Sequence, residues 1–174
     1  MYTANTMACL TEVLGMSLPY CSSSSAVSSQ KRRIAFESGM QIIELVKNDT
    51  KPSDIITKES LLNMIKCDLA LGGSTNTFLH ILAIANAGNI DITIDDFDKL
   101  SREIHQIVKI NPSSTLTMTD FHQAGGIPAV IKSMKKLLNN TPTSSGRKLF
   151  EIAAQAWVDE KIIPPYDKST YTQA

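Results

Sequence analysis

The stretch Leu69–Ala85, LALGGSTNTFLHILAIA, sets the helical plan of this chain, because two helix-forming runs meet there at a pair of glycines. Gly72 and Gly73 interrupt the first run, and Ser74 or Thr75 offers a side-chain oxygen that can cap the second helix. The second run is apolar on every side, which predicts a helix in the middle of a larger packed body. Its apolar residues are Phe78, Leu79, Ile81, Leu82, Ala83, Ile84 and Ala85.

The turn between the two runs has two interpretations. It could present free N–H groups and short polar side chains at the positive end of a helix dipole, which suits a carboxylate or a phosphate. Alternatively, the glycines only give clearance at a tight helix–helix corner, and the hydroxyls only cap. Composition by itself favours the corner, because caps far outnumber anion sites. The residues of this candidate binding turn are Gly73, Ser74, Thr75 and Asn76.

Length and composition indicate one ordinary globular domain. The chain has 174 residues, of which 43% are hydrophobic and 20% are charged. Seventeen basic residues balance seventeen acidic ones, so neither nucleic acid nor an anionic membrane is indicated as a partner. The longest apolar run, around Phe78–Ala85, is too short to span a bilayer.

The N-terminal residues and the cysteines bear on the compartment. Met1–Asn5 contains no basic residue of the kind that opens a signal peptide. The three cysteines, Cys9, Cys21 and Cys67, have no metal-binding spacing, and their odd number suits a reducing compartment. We therefore expect a cytoplasmic protein in which these thiols are small core or boundary residues.

Periodicity predicts a mainly helical chain. About seven helices are expected, at 3–16, 29–48, 57–71, 75–86, 95–105, 128–138 and 149–158. Thr57 is expected to cap the third of these as a simple cap rather than a full capping box. Two short alternating segments, 90–94 and 115–118, could be strands, although Thr93–Phe97 looks equally like a helix cap followed by an acid-rich first turn. No glycine-rich dinucleotide loop and no Walker loop is present.

The titratable residues form no recognisable catalytic set. The three histidines, His80, His105 and His122, are far apart in the sequence. We expect His80 to be a hydrogen-bonded core imidazole, whereas His122, close before a second glycine pair, is a candidate site residue. The carboxylates between Asp91 and Asp98 could suggest a cation site, but they are more typical of a helix N-terminus that complements its dipole.

Several segments resemble the dihydroxy-acid dehydratase and 6-phosphogluconate dehydratase family. Met1–Met7, MYTANTM, is similar to the segment that follows a cluster-binding cysteine in that family. The other most specific pieces are Ala70–Asn76 and Gly125–Val130. Weaker likenesses follow in the same order and spacing, and they are Leu18-Pro19, Ala26-Val27, Leu79-His80, Asp95–Phe97, Thr143–Gly146 and Ile162–Pro164. Tyr2 and Asn5 resemble the branched-chain enzymes, because sugar-acid members more often carry glycine and serine there.

The resemblance implies a fold and a division of the chain. The chain would be a mainly α segment of an α/β domain, with helices that flank a largely parallel sheet and few or no strands in this piece. Residues 1–138 would belong to the N-terminal dehydratase domain. Residues 139–174 would form a linker, a last helix and a tail leading toward a C-terminal domain outside this sequence.

The resemblance also implies a reaction. Members of the family eliminate water from a 2,3-dihydroxy carboxylate and release a 2-oxo acid, and the dihydroxy-acid enzymes do so in valine and isoleucine biosynthesis. An iron–sulfur cluster polarises the departing hydroxyl and Mg²⁺ holds the small-molecule substrate. The complete protein is expected to be a homodimer.

This sequence departs from the family in its ligands. The cysteine ligand would lie just before Met1, and the chain's own three cysteines do not align with ligand positions. We therefore assign no catalytic and no metal-binding residue, and we expect the chain by itself to be inactive and to bind neither cofactor. We expect the chain to contribute two scaffold segments near the site. One is Gly73–Asn76, and the other is the start of the first helix, which would lie near the cluster. The residues of that start are Tyr2, Thr3, Asn5 and Thr6.

Two alternatives stay open at this stage. The chain could be a piece of a sugar-acid dehydratase acting on an aldonate or on 6-phosphogluconate. It could also be a non-catalytic helical module that retains only the scaffold of the family.

Overall fold

The structure is a computed structural model that describes residues 2–167; Met1 and the end of the tail, 168–174, lie outside the described residues. Within residues 2–167 the chain forms nine helices, and in order they are α1 (Thr3–Val13), α2 (Ser29–Lys47), α3 (Pro52–Ile55), α4 (Lys58–Leu71), α5 (Thr77–Ala87), α6 (Ile94–Ser101), α7 (Met118–Gln123), α8 (Gly126–Ser133) and α9 (Leu149–Ala154).

The prediction of a mainly helical chain with few or no strands is confirmed for this range. Its β-type pairing is one isolated bridge between Pro142 and Lys148. The strand alternatives at 90–94 and 115–118 are wrong, whereas the alternative of a cap at Thr93 with an acid-rich first turn is confirmed. Thr93 and Thr117 precede helices, and the backbone N–H and the hydroxyl of each donate to the carboxylate three residues later. Within the described range, no helix combines the length and the apolar character needed to cross a bilayer.

The centre of the molecule is α4. It packs against α1, α5 and α6, so nearly every side of this helix is covered. Its buried residues include polar ones as well as apolar ones, and they are Ser60, Leu61, Asn63, Met64, Ile65, Cys67, Asp68, Ala70 and Leu71.

Within residues 2–167 the second run, α5, is covered on one side rather than on every side. In the described structure α5 buries Thr77, Ile81 and Ala85 on the side that faces α4. Leu79 is 70% exposed, and His80 is exposed as well, so His80 is not a core imidazole. Apolar composition shows that a helix can be buried, but it does not show how many neighbours cover it.

The two ends of α4 follow from local side-chain chemistry. Thr57 Oγ1 accepts a hydrogen bond from the Ser60 backbone N–H at 3.2 Å, and Ser60 Oγ accepts one from the Thr57 N–H at 2.8 Å. The serine hydroxyl thus completes a reciprocal capping box where the sequence predicts a simple cap. At the other end, Gly72 adopts a left-handed conformation with φ 59° and stops the helix.

Three later helices end earlier than predicted, and for α9 a tertiary contact accounts for the earlier end. α6 ends at Ser101, α8 at Ser133 and α9 at Ala154. After α9, the Asp159 N–H donates to the Ala124 carbonyl at 3.0 Å, and a Cβ at Gly125 would overlap the carbonyl oxygen of Trp157. This close approach draws the chain out of helical geometry near the second glycine pair.

A buried amide ties α4 to the chain that follows α8. Asn63 Nδ2 donates to the Asn139 carbonyl at 2.8 Å, and Asn63 Oδ1 accepts from the Asn139 N–H at 2.9 Å. Beside it, Lys66 Nζ donates to the Leu137 carbonyl at 2.7 Å. Asn63 is fully buried, so its amide nitrogen and oxygen depend on these two hydrogen bonds to the Asn139 backbone.

We expect Asn63→Ala to lower the free energy of unfolding by about 1–3 kcal/mol, since it removes a fully buried side chain together with both of its hydrogen bonds to the Asn139 backbone. The exposed Asn86 of α5 is the matched control, and Asn86→Ala is expected to change stability by less than about 0.5 kcal/mol. Urea unfolding followed by circular dichroism measures both. Equal stability of the two variants would contradict the bridging role of Asn63.

Candidate functional site

The candidate binding turn lies between the end of α4 and the start of α5. The Gly73 N–H donates to the Asp68 carbonyl at 3.0 Å and the Gly72 N–H donates to the Leu69 carbonyl at 3.2 Å, which closes α4. Asn76 is the residue before α5, and its side chain makes no capping hydrogen bond. The helix thus begins at Thr77, and the predicted cap by Ser74 remains as a hydrogen bond that Ser74 Oγ accepts from the Asn76 N–H just before it.

The turn contacts the first residues of α1. Thr3 Oγ1 and Ser74 Oγ are 2.9 Å apart, and Asn76 Nδ2 donates to Thr3 Oγ1 at 2.9 Å. The Ser74 N–H donates to Thr6 Oγ1 at 3.3 Å. Residues 71 positions apart in the sequence thus form one hydrogen-bonded cluster, which we call the α1 corner and define as Thr3, Thr6, Gly73, Ser74 and Asn76.

The remaining predicted site residues lie around the α1 corner. Thr75 is exposed in the turn, and Tyr2, just before α1, is 74% exposed. Asn5 is half-buried in the first turn of α1. The structure therefore brings both predicted groups of residues to one place at the surface, while their role toward a ligand stays a prediction.

The backbone of the turn is less available than predicted. The N–H groups of Gly73 and Ser74 are used by the Asp68 carbonyl and Thr6 Oγ1, and the Asn76 N–H donates to Ser74 Oγ at 3.3 Å. The expectation of free N–H groups at these positions is therefore wrong. A ligand at the α1 corner would be met by hydroxyl and amide side chains rather than by a set of backbone donors.

A buried carboxylate supports the turn from beneath. Asp68 is 6% exposed, and its Oδ2 accepts from Thr77 Oγ1 at 2.5 Å. Oδ1 is buried and has no hydrogen-bond partner among residues 2–167. Burial raises the pKa of Asp68 to about 6, and the hydrogen bond from Thr77 opposes this shift.

Gly73 is required by this packing. A Cβ at this position would overlap Asp68 Oδ1 and would lie 2.6 Å from the Thr6 methyl carbon. The turn therefore approaches both the carboxylate and α1 more closely than a side chain would permit.

The cysteines do not fit the ligation of an iron–sulfur cluster. Cys9 and Cys67 are fully buried, and burial raises the pKa of each thiol to about 12, whereas cluster ligands are thiolates. Cys21 is half-buried and its Sγ accepts from Lys31 Nζ at 3.2 Å. Among the described residues, no group of three or more His, Cys, Asp or Glu side chains could hold a metal ion.

Two polar clusters with structural roles were not predicted from the sequence. Glu12 is 5% exposed and accepts from the Tyr20 N–H at 2.6 Å and from Ser22 Oγ at 2.6 Å. His122 Nδ1 is 2.8 Å from Ser23 Oγ, and its Nε2 is 2.9 Å from Gln30 Oε1. The sequence did offer a reason to expect buried carboxylates at Glu12 and Asp68, because each is an acidic residue among apolar neighbours of a predicted helix.

An open groove of about 590 Å³ lies elsewhere, between α2, the loop at Pro19-Tyr20 and Arg147. It is lined by Arg33, Glu37 and other polar side chains of α2, and none of the residues of the α1 corner borders it. The groove is thus separate from the candidate site.

The fold and the α1 corner define a helical scaffold that brings two distant polar segments together at its surface. A family model described as dihydroxy-acid/6-phosphogluconate dehydratase, N-terminal, matches residues 1–152. The chain belongs to this family.

Named relatives agree with the family match. The chain is 57% identical over 154 residues to a dihydroxy-acid dehydratase of Methanococcus maripaludis, which covers 88% of the chain and 28% of that relative. It is 49% identical over 174 residues to the dihydroxy-acid dehydratase of Thermodesulfovibrio yellowstonii, which covers 99% of the chain and 32% of that relative. The chain thus spans about a third or less of the relatives it matches.

The raised pKa of Asp68 predicts a specific dependence of stability on pH. The folded state holds this proton more tightly than the unfolded state, whose pKa is near 3.8. The resulting stabilisation is complete below about pH 4 and is lost as the pH rises through about 6, a change of up to about 3 kcal/mol. Asp68→Asn removes the titrating group, so this part of the pH dependence disappears.

Unfolding by urea at several pH values between about 4 and 7 measures the difference between the wild-type chain and Asp68→Asn. Thr77→Val is the second variant, because it removes the hydrogen bond that lowers the pKa of Asp68 and moves the transition to higher pH. Parallel pH profiles for the wild-type chain and Asp68→Asn would contradict the assignment.

Proposed function

We propose that this chain is part of a dihydroxy-acid dehydratase, a hydro-lyase that removes water from a 2,3-dihydroxy carboxylate and gives a 2-oxo acid in valine and isoleucine biosynthesis. The observation that supports this proposal is the name shared by an archaeal and a bacterial relative that each align with most of the chain. Because the chain spans a third or less of these proteins, the activity is proposed for the complete protein.

The proposed contribution of this chain is the α1 corner. Its hydroxyl and amide side chains, from Thr3, Ser74 and Asn76, form one hydrogen-bonded group at the surface. Groups of this kind donate to the carboxylate and hydroxyl oxygens of a dihydroxy acid. Thr75 and Tyr2 are exposed beside them and would extend the same lining, with Gly73, Asn5 and Thr6 setting its shape.

The proposal places the cofactors of the reaction outside the described residues. An iron–sulfur cluster would act as Lewis acid on the departing hydroxyl and Mg²⁺ would hold the substrate. The buried thiols of Cys9 and Cys67 support a scaffold role for this chain, because both are part of the apolar core between α1 and α4. The helices would flank a largely parallel sheet that other parts of the protein supply.

The proposal extends to the organisation of the complete protein. Residues 1–138 would belong to its N-terminal dehydratase domain, and residues 139–174 would lead toward a C-terminal domain. Supporting the first part, the family match begins at residue 1 and reaches residue 152. We further propose that the complete protein is a cytoplasmic homodimer.

A chimeric enzyme tests the activity and the α1 corner together. In the complete Methanococcus maripaludis relative, the 154 aligned residues are replaced by those of this chain, and the chimera is loaded with its cofactors. We expect it to convert a branched 2,3-dihydroxy acid to the 2-oxo acid and to leave 6-phosphogluconate unchanged. Ser74→Ala combined with Asn76→Ala is expected to raise KM about tenfold, as the loss of a hydrogen bond to a charged group does.

The matched controls for this double variant are Ser101→Ala and Asn86→Ala, at exposed positions away from the α1 corner. Both should leave KM and kcat unchanged. A folded chimera with no dehydratase activity would contradict the proposed function. An active chimera whose KM is unaffected by the double variant would leave the α1 corner with a structural role and would contradict its role in substrate binding.

A further inference from the structure

The hydroxyl of Thr77 lies between two oxygen atoms at equally short range. Thr77 is fully buried, and its Oγ1 is 2.5 Å from Asp68 Oδ2 and 2.5 Å from the carbonyl oxygen of Ser74. Both distances are those of hydrogen bonds, but a hydroxyl group has one hydrogen to donate. The second contact therefore needs a hydrogen of its own. A carbonyl oxygen carries none, so this hydrogen must lie on Asp68.

The other oxygen of Asp68 leads to the same conclusion. Oδ1 is buried, and among residues 2–167 it has no hydrogen-bond partner. It lies so close to Gly73 that a Cβ there would overlap it. An ionised carboxylate would leave part of its charge on this unpaired oxygen, which is costly away from water. A protonated carboxyl group leaves a neutral carbonyl oxygen there instead.

The titratable groups around Asp68 do not supply a compensating charge. The pKa of Asp68 is raised by burial and lowered by the Thr77 hydrogen bond. The thiols of Cys9 on α1 and Cys67 on α4 are buried, and burial raises the pKa of each to about 12, so both are neutral near pH 7.

The charged side chains of the neighbouring helices are exposed or bonded elsewhere. On α1, Glu12 accepts from the loop at Tyr20, and on α4, Lys66 donates to the Leu137 carbonyl. His80 on α5 is exposed. The charged residues of α6 are exposed apart from Asp96, which accepts from the Thr93 N–H, and His105 after α6 stacks on Tyr166.

We propose that Asp68 holds a proton in the folded protein and donates it to Thr77, and that it thereby acts as a positioning residue for the Ser74 hydroxyl at the α1 corner. Asp68 Oδ2–H donates to Thr77 Oγ1, and the Thr77 hydroxyl donates to the Ser74 carbonyl. We call these three residues the acid link. Its hydrogen bonds exist apart from any activity, whereas its role toward a substrate rests on the proposed function.

Loss of the proton rearranges the acid link. The proton passes to solvent, and the Thr77 hydroxyl turns from the Ser74 carbonyl to the Asp68 carboxylate, which is the stronger acceptor. The Ser74 carbonyl keeps its hydrogen bond from the Thr77 backbone N–H at 3.0 Å but loses the one from the hydroxyl. Ser74 Oγ, 2.9 Å from Thr3 Oγ1, is then held less firmly at the α1 corner.

Carbon NMR of the 174-residue chain tests where the proton lies. The side-chain carboxyl carbon of Asp68 is expected to titrate with a midpoint near pH 6, since burial raises its pKa to about 6. The backbone N–H signals of Ser74 and Thr77 are expected to shift with the same midpoint. Asp120 is the internal control, because the hydrogen bonds from Thr117 lower its pKa.

Asp68→Asn is the matched variant, because its side-chain NH₂ group can donate to Thr77 Oγ1 in place of the acid and does not titrate. In this variant the N–H signals of Ser74 and Thr77 are expected to stay constant through pH 6. A carboxyl midpoint at the ordinary value of 3.8 in the wild-type chain would overturn the proposal. So would N–H signals that do not follow the titration of Asp68.

The chimera of the complete Methanococcus maripaludis relative tests the positioning role. The ratio of KM with Asp68 to KM with Asp68→Asn is expected to rise about fivefold from about pH 5 to pH 7, as the loss of one hydrogen bond does, while the ratio of kcat changes less than about twofold. Using a ratio removes pH effects that both proteins share. Asp98→Asn, at an exposed position on α6, is the matched control, and its ratio should stay constant.

Two substitutions of Thr77 test the same role without changing the acid. At pH 5, Thr77→Val is expected to raise KM about fivefold, whereas Thr77→Ser keeps the hydroxyl and should raise it less than about twofold. A constant KM ratio for Asp68→Asn in an active chimera, or equal KM values for the two Thr77 variants, would overturn the positioning role. A folded chimera without activity would instead contradict the proposed function, and the NMR titration decides the place of the proton independently.

Discussion

The packing of Gly73 against Asp68 and Thr6 is the constraint on which the candidate site depends. Because Gly73 has no side chain, the turn can pack directly on α1 and α4. A Cβ at this position would overlap the Asp68 carboxylate and crowd the Thr6 methyl group. This contact brings Ser74 and Asn76 within hydrogen-bonding distance of Thr3. The glycine at position 73 thus permits the close packing that sets the relative position of the start of α1 and the start of α5.

Local features of the fold could be predicted from the sequence, because they depend on a few neighbouring residues. The cap at Thr57, the stop at Gly72 and the full extent of α2 were predicted in this way. The identity of the central helix was not, since α4 and α5 carry similar apolar content and differ in how many neighbours cover them. Which helix is covered on several sides depends on contacts between segments far apart in the sequence, such as Asn63 with Asn139.

The candidate site, too, could be predicted from the sequence only in part. The resemblance to the dehydratase family singled out the residues of the α1 corner in two separate stretches, and the structure brings them together. It did not reveal that the Ser74 N–H is used by Thr6, because that bond joins α1 to the turn. Nor did it reveal the buried carboxylates of Asp68 and Glu12. Burial raises the pKa of both, and each holds a loop or turn in place through its hydrogen bonds.

The most direct measurement is a double-mutant cycle on the free energy of unfolding, with Thr3→Ala, Ser74→Ala and the double variant. If the start of α1 and the glycine turn form one structural unit through their side chains, the two substitutions are coupled. We expect a coupling energy of about 0.5–1 kcal/mol between these two positions, which are 71 residues apart in the sequence. Effects that add to within about 0.3 kcal/mol would contradict it.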